Sequence, residues 1–173
     1  MTALVVYESM FGATRDVAES VVAGLVGAGV DARAVEVGVA DERLGDDVTL
    51  LVVGGPTHAF GMSRAHSRND ARKQAHGGTV VSERIGVREW LADLDLAGRP
   101  VPVAAFCTRV FRPRLPGSAA RAIGKELSRH GGRLVAPPQD FGVDGNKGPL
   151  EGQLDAARAW GATLAASSGP VPA

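Results

Sequence analysis

The chain opens on an apolar run, Leu4-Val5-Val6-Tyr7, which gives way to the small and polar residues of Ser9–Thr14. A short β-branched-rich run of this kind makes a strand buried on both faces. From Arg15 the apolar positions recur three and four apart, at Val17, Ala18, Val21, Val22, Leu25 and Val26, and predict a helix with one buried stripe. Asp31–Val39 alternates Ala32, Ala34, Val35 and Val37 with polar residues, as a half-exposed strand near a sheet edge does. Val48–Val53 is a continuous apolar run, predicted as a central strand that ends in the turn signal Gly54-Gly55-Pro56-Thr57.

Residues 58–84 have no sustained apolar period and read as a long connection, which in a compact domain tends to be functional or mobile. Ile85–Leu96 predicts a helix burying Val87, Trp90, Leu91 and Leu94, and Val101–Cys107 predicts the next buried strand. A polar loop follows. Ser118 then caps a helix whose apolar face is Ala119, Ala122, Ile123 and Leu127 and which closes at Gly131-Gly132. In the last strand region, Leu134–Val143, Pro137 and Pro138 cannot donate to a ladder, so it should lie at an edge or end early. Pro149 opens a final helix carrying Leu150, Leu154, Ala157, Trp160 and Leu164. The tail, 167–173, is expected to be disordered, which leaves residues 1–166 as a single domain.

Five strands alternating with helices imply an α/β fold with a parallel sheet wound on both faces, because parallel neighbours need right-handed crossovers. A ligand of such a sheet lies beyond the carboxyl ends of the strands, where the strand order reverses. Three loops leave strands at that edge: Ser9–Thr14, Gly54–Arg64 and Thr108–Ser118.

The first of these has the chemistry of an anion site. A strand, a tight loop and a helix leave backbone N–H groups unpaired at the positive end of the helix dipole, where a phosphate fits. Ser9 and Thr14 offer hydroxyls, and Gly12 permits close approach and a positive φ. With no lysine present, the loop is neither the GxxxxGK[ST] nor the GxGxxG phosphate motif. Taken alone it is equally an ordinary turn rich in small residues.

Length and charge narrow the function classes. The 173 residues suffice for one full core, and 19 basic residues balance 19 acidic ones, so no bulk field points to nucleic acid or a membrane surface. The lone Cys107 cannot form an internal disulfide and suits a reducing cytoplasm. No apolar run approaches the roughly 20 residues needed to span a bilayer, and the N-terminus has no signal-peptide pattern.

With YESMFGAT, GGPTHAFG and FCTRVFRPRLPGS in place at those three loops, the chain resembles the flavodoxin family, of the short-chain type. The resemblance implies a three-layer sandwich with a five-stranded parallel sheet in the order 2-1-3-4-5 and an FMN site at the junction of the first and third strands. It implies that Ser9, Met10, Phe11, Gly12, Ala13 and Thr14 hold the FMN phosphate, mostly through backbone N–H groups. Pro56, Thr57, His58, Ala59, Phe60 and Gly61 would border one side of the ring, and Thr108, Arg109, Val110 and Phe111 the other. The Ala59–Phe60 peptide is the candidate to accept a hydrogen bond from reduced flavin N5. Three departures stand out: Ala13 where many relatives have Asn, His58 where many have Trp, and no Tyr in the second loop. Phe60 or Phe111 is left to supply the flat apolar neighbour a flavin needs.

Arginines cluster after the second loop (Arg64, Arg68, Arg72, with Lys73) and around the third (Arg109, Arg112, Arg114, Arg121). Both groups are expected at one mouth, either solvated or steering an anionic partner such as NAD(P)H. His58, His66 and His76 match no compact metal pattern. His58 reads instead as a ring-edge residue able to titrate near neutral pH. Cys107, Trp90 and Trp160 read as core, and Asp16 and Glu19 as complements of the helix dipole. No catalytic acid, base or nucleophile is evident. An FMN electron carrier serving redox partner proteins, as monomer or homodimer, needs none. The alternatives are an FMN oxidoreductase acting on a nicotinamide and a quinone, and an interaction module that kept the fold without the flavin.

Overall fold

The computed structural model describes residues 2–58, 61–75, 77, 79–111, 116–145 and 147–167. In chain order these form β1 (Thr2–Tyr7), α1 (Ala13–Gly27), β2 (Asp31–Glu36), β3 (Val48–Pro56), α2 (Ala65–Gln74) and α3 (Val87–Asp93). They continue with β4 (Pro102–Val110), α4 (Ala119–Arg129), β5 (Arg133–Leu134), β6 (Gln139–Val143) and α5 (Gln153–Ser167). Of the expected tail, 167–173, Ser167 ends α5 and 168–173 lie outside the described residues. No helix among the described residues is long and apolar enough to cross a membrane.

The sheet is parallel, in the order β2-β1-β3-β4-β5, with β6 also paired to β4. The prolines explain the sixth strand. β5 pairs with Pro102 and Val103, β6 pairs with Phe106–Val110, and Pro137-Pro138 lies between them. Pyrrolidine nitrogens carry no hydrogen to donate, so the one expected edge strand becomes two short ones.

Each central strand feeds two cores. Leu4, Val6, Leu51, Val53 and Val103 point to one face and pack with Val87, Trp90, Leu91, Ile123 and Leu127 of α3 and α4. Ala3, Val5, Val52, Ala104 and Phe106 point to the other and meet Val17, Val21 and Leu25 of α1 and Ala157 and Leu164 of α5. Phe106, Phe141 and Trp160 form an edge-to-face trio there, with centroids 6.0–6.2 Å apart.

The structure departs from expectation in three places. The connection 58–84 contains α2, which shows no apolar period because only Arg68 and Ala71 of it are buried. Pro149 pairs with Val143 in an isolated antiparallel bridge before α5 begins, and Leu150 and Leu154 are exposed. α5 instead meets α1 through glycine: a Cβ on Gly161 would lie 2.2 Å from the Val21 carbonyl oxygen, and one on Gly24 would lie 2.0 Å from that of Arg158. The two helices therefore touch backbone to backbone.

Candidate functional site

β1 delivers the chain to its carboxyl end, and Gly12, with φ of 97°, turns it into α1. That value is open to glycine and strained for other residues. Among the described residues the backbone N–H groups of Met10, Phe11, Ala13, Thr14 and Arg15 make no hydrogen bond. The Gly12 N–H donates to Ser9 Oγ (3.1 Å), which leaves the Ser9 hydroxyl hydrogen available. Unpaired donors at a helix N-terminus and a free hydroxyl are what a phosphate requires.

The loop is fastened from behind. Ser9 N donates to Ser82 Oγ (3.0 Å), Ser82 N to Ser9 O (2.8 Å) and Val81 N to Met10 O (3.0 Å). Met10 is buried against Ala71 of α2 and Val80. The stretch that reads as a long loop is thus a brace for the first loop.

In front of the first loop lies a cleft of about 180 Å³. Ser9, Met10, Phe11, Ala13 and Thr14 line it from the first loop, Pro56, Thr57 and His58 from the second, and Thr108, Arg109 and Val110 from the third. The Thr14 and Thr108 hydroxyls are 2.8 Å apart and join the first loop to the third. The three loops singled out in the sequence therefore converge. Val143 and Gly145 also line the cleft. Val143 ends β6 and Gly145 follows it, and the glycine-rich run Gly142–Gly148 was the signal for a fourth contributing loop.

Other expected residues stand elsewhere. Gly12 shapes the first loop without lining the cleft, and Gly61 lines a neighbouring one. His58 and Gly61 exchange both backbone hydrogen bonds (2.8 and 3.0 Å), while Ala59 and Phe60 lie outside the described residues. Phe111, half exposed, lies against Gly142, where a Cβ would be 2.8 Å from its ring, and does not line the cleft.

The arginines do not form one free cluster. Arg109 donates to the Gly117 carbonyl (2.8 Å) and to Asp140 (3.1 Å), and Arg68 is buried against Glu89 (3.0 Å). Arg72 donates to the Glu83 carbonyl and Lys73 pairs with Asp70. Arg112, Arg114 and His76 lie outside the described residues. Arg64 and Arg121 are exposed.

A sequence profile described as Flavodoxin matches residues 5–160. The chain belongs to the flavodoxin family. An archaeal flavodoxin superposes with a TM-score of 0.66 at 18% identity, covering 97% of this chain and 99% of that one. A flavodoxin of Streptococcus pneumonia TIGR4 gives 0.65 at 20%, covering 96% and 99%. The rubredoxin oxygen:oxidoreductase of Desulfovibrio gigas gives 0.63 at 13%, covering 96% of this chain but 36% of that one. No curated protein sequence matches the chain. Family membership brings a flavin cofactor and, in general terms, an electron-transfer role, and the unpaired amides of the first loop fit the phosphate of a flavin nucleotide.

Behind this flavodoxin cleft sits a polar network that sequence reasoning missed. Glu8, 1% exposed, accepts from the Ser63 hydroxyl and from Val87 N (2.8 Å). Arg68 Nη1 donates to Ser63 Oγ (3.0 Å), its Nη2 donates to Glu89 (3.0 Å), and Glu89 accepts from Gly86 N (3.0 Å). A Cβ on Gly86 would fall 2.5–2.8 Å from Arg68, Glu8 and Ser63. The network joins the residue before the first loop to the residues after the second. The one signal for it was an acid at the end of an apolar strand.

Burial pushes the Glu8 carboxyl above its ordinary range, and the bonds from Ser63 and Val87 and the charge of Arg68 offset this only in part. A carboxyl raised on folding keeps its proton where the unfolded chain has released it. Its contribution to stability is therefore full at low pH and is lost as pH rises from the unfolded value toward the folded one. Burial also pushes Glu89 up, but the bonds from Arg68 and backbone N–H groups and the Arg68 charge outweigh it and leave it lowered. Its contribution runs the other way, and cancels when two proteins that both carry Glu89 are compared. Urea unfolding between about pH 4.5 and 7.5 is expected to show wild type losing stability relative to Glu8→Gln as pH rises. A pH-independent difference would refute the buried carboxyl. His58 moves down, through burial and the charge of Arg68, so its imidazole is neutral near pH 7.

The third loop is anchored around Cys107. Thr57 Oγ1 donates to its sulfur (3.3 Å) and accepts from Ala119 N (3.1 Å). Ser118 stands at the N-cap of α4 but spends its hydroxyl on Asp140 (2.6 Å), so capping passes from Ser118 to Thr57 of the neighbouring strand. Cys107 is fully buried, and burial pushes its thiol up, which makes it a poor nucleophile.

Proposed function

We propose that the chain binds FMN and shuttles electrons between redox partners. The observation that carries this is the set of five unpaired amides around left-handed Gly12, facing a cleft built from three converging loops. The residues Ser9–Thr14 hold the phosphate, with the Ser9 hydroxyl adding a donor. Thr57 and His58 border one side of the ring, and Thr108, Arg109 and Val110 the other. When bound, the flavin supplies the redox chemistry, while the protein tunes it by burial, hydrogen bonds and charge. Neutral His58 adds no charge beside the ring. Titration of FMN with the protein is expected to quench flavin fluorescence saturably at micromolar or tighter affinity. An unquenched signal at tens of micromolar protein would remove the cofactor and favour a flavin-free interaction module.

A second reading, an FMN oxidoreductase passing electrons from a nicotinamide to a quinone, is favoured by a cationic cleft that shares His58 with the flavin cleft. Under single-turnover conditions it requires FMN-loaded protein to oxidise NADH or NADPH, whereas a pure carrier leaves both unchanged. The lone buried thiol of Cys107 suits a cytoplasmic site of action.

A further inference from the structure

Beside the flavin cleft, on the far side of His58, lies a second cleft of about 360 Å³ lined by Met62, Arg64, His66, Ser67 and Arg88. We propose that it binds a phosphorylated small molecule of nucleoside-phosphate size. No carboxylate lines it. The nearby acids are committed elsewhere, Glu89 to Arg68, Asp70 to Lys73, and Glu8 to Ser63 and Val87 N.

Its two guanidinium groups play different parts. Arg88 is preorganised, its Nε donating to the Ser63 carbonyl (3.1 Å) and its Nη2 to the Met62 carbonyl (3.0 Å), with Nη1 left over. Arg64 makes no side-chain bond among the described residues and stands at the rim, where it can fold onto a ligand. Between them α2 begins, and the N–H groups of Ala65, His66 and Ser67 make no hydrogen bond among the described residues. Two guanidinium groups and a helix N-terminus suit a doubly charged phosphate better than a singly charged carboxylate.

Size points beyond a bare phosphate. The volume exceeds the roughly 300 Å³ at which small-molecule sites begin and would hold about a dozen waters at ~30 Å³ each. The shared His58 wall would place the ligand next to the ring. That placement rests on the proposed FMN site; binding in the cleft does not.

The test is calorimetry with inorganic pyrophosphate at low salt, on protein saturated with FMN so that the first loop is filled. Wild type is expected to bind, and Arg64→Glu/His66→Glu to bind at least tenfold more weakly with FMN affinity changed less than twofold. Both positions are exposed, and circular dichroism checks the fold. Absent binding to wild type, equal binding to the variant, or a parallel loss of FMN affinity overturns the proposal. ADP or NADPH should displace pyrophosphate, and displacement by neither overturns a nucleotide-sized ligand. If FMN itself fails to bind, the fluorescence titration reports it separately. The comparison of wild type with the variant then still decides the cleft, because the variant leaves the first loop intact.

Discussion

Gly12→Asp is expected to weaken FMN binding by at least about 100-fold while the protein stays folded. A carboxylate would stand where the loop amides converge on the phosphate. Like charges about 4 Å apart cost about 4 kcal/mol at the effective dielectric of a protein surface, and 100-fold in affinity is about 2.8 kcal/mol. Gly12→Ala separates charge from backbone strain. Both variants bear the cost of a side chain at φ of 97°, about 1–2 kcal/mol. An alanine Cβ would approach only the flexible end of Arg15, at 3.2 Å, so its affinity loss should stay within about 30-fold by the same conversion. The fluorescence titration measures both. Retained affinity in Gly12→Asp would remove Ser9–Thr14 as the phosphate site.

Gly161→Ala should destabilise the fold by about 3 kcal/mol, although alanine is the better helix former by roughly 1 kcal/mol. The sign follows from the neighbour: the added methyl would sit 2.2 Å from the Val21 carbonyl oxygen, a backbone atom that can retreat only if α1 and α5 part. At about 2–4 °C per kcal/mol the melting temperature falls by about 6–12 °C. Gly27→Ala is the control, since nothing lies within 4 Å of its Cβ. There the same substitution should leave thermal stability unchanged or raise it. Equal effects in the two variants would show that α1 and α5 tolerate separation.

Much of this was legible along the chain because the signals are local. The runs at Leu4–Tyr7, Val48–Val53 and Val101–Cys107 are buried apart from Thr49 and Pro102, so their apolar continuity identified the central strands without knowledge of their neighbours. Gly12 in the first turn, with the hydroxyls of Ser9 and Thr14, marked the first loop as one that leaves its amides unpaired at the start of α1. Leu154 misled because three-to-four spacing cannot tell a helix face that meets the sheet from one that meets water. α2 was hidden for the opposite reason. Its buried face is Arg68, which bonds Glu89 and Ser63, together with the single small Ala71, and periodicity needs a repeated apolar position.

The order of apolar runs, turns and prolines along this chain was by itself enough to set the central strands, the helices with an apolar face, a last strand at an edge or ending early, and the three loops at the sheet's carboxyl edge. Those features depend on backbone preferences and on burial, and both act over a few neighbouring residues. Only the tertiary structure decided that Glu8 and Arg68 share a buried network, that Thr57 rather than Ser118 caps α4, and that Arg68 and Arg109 are spent on internal partners while Arg64 and Arg88 line a cleft. Each of these is a contact between residues far apart in the chain. Whether a charge is neutralised, buried or left facing solvent depends on which partner the fold brings to it.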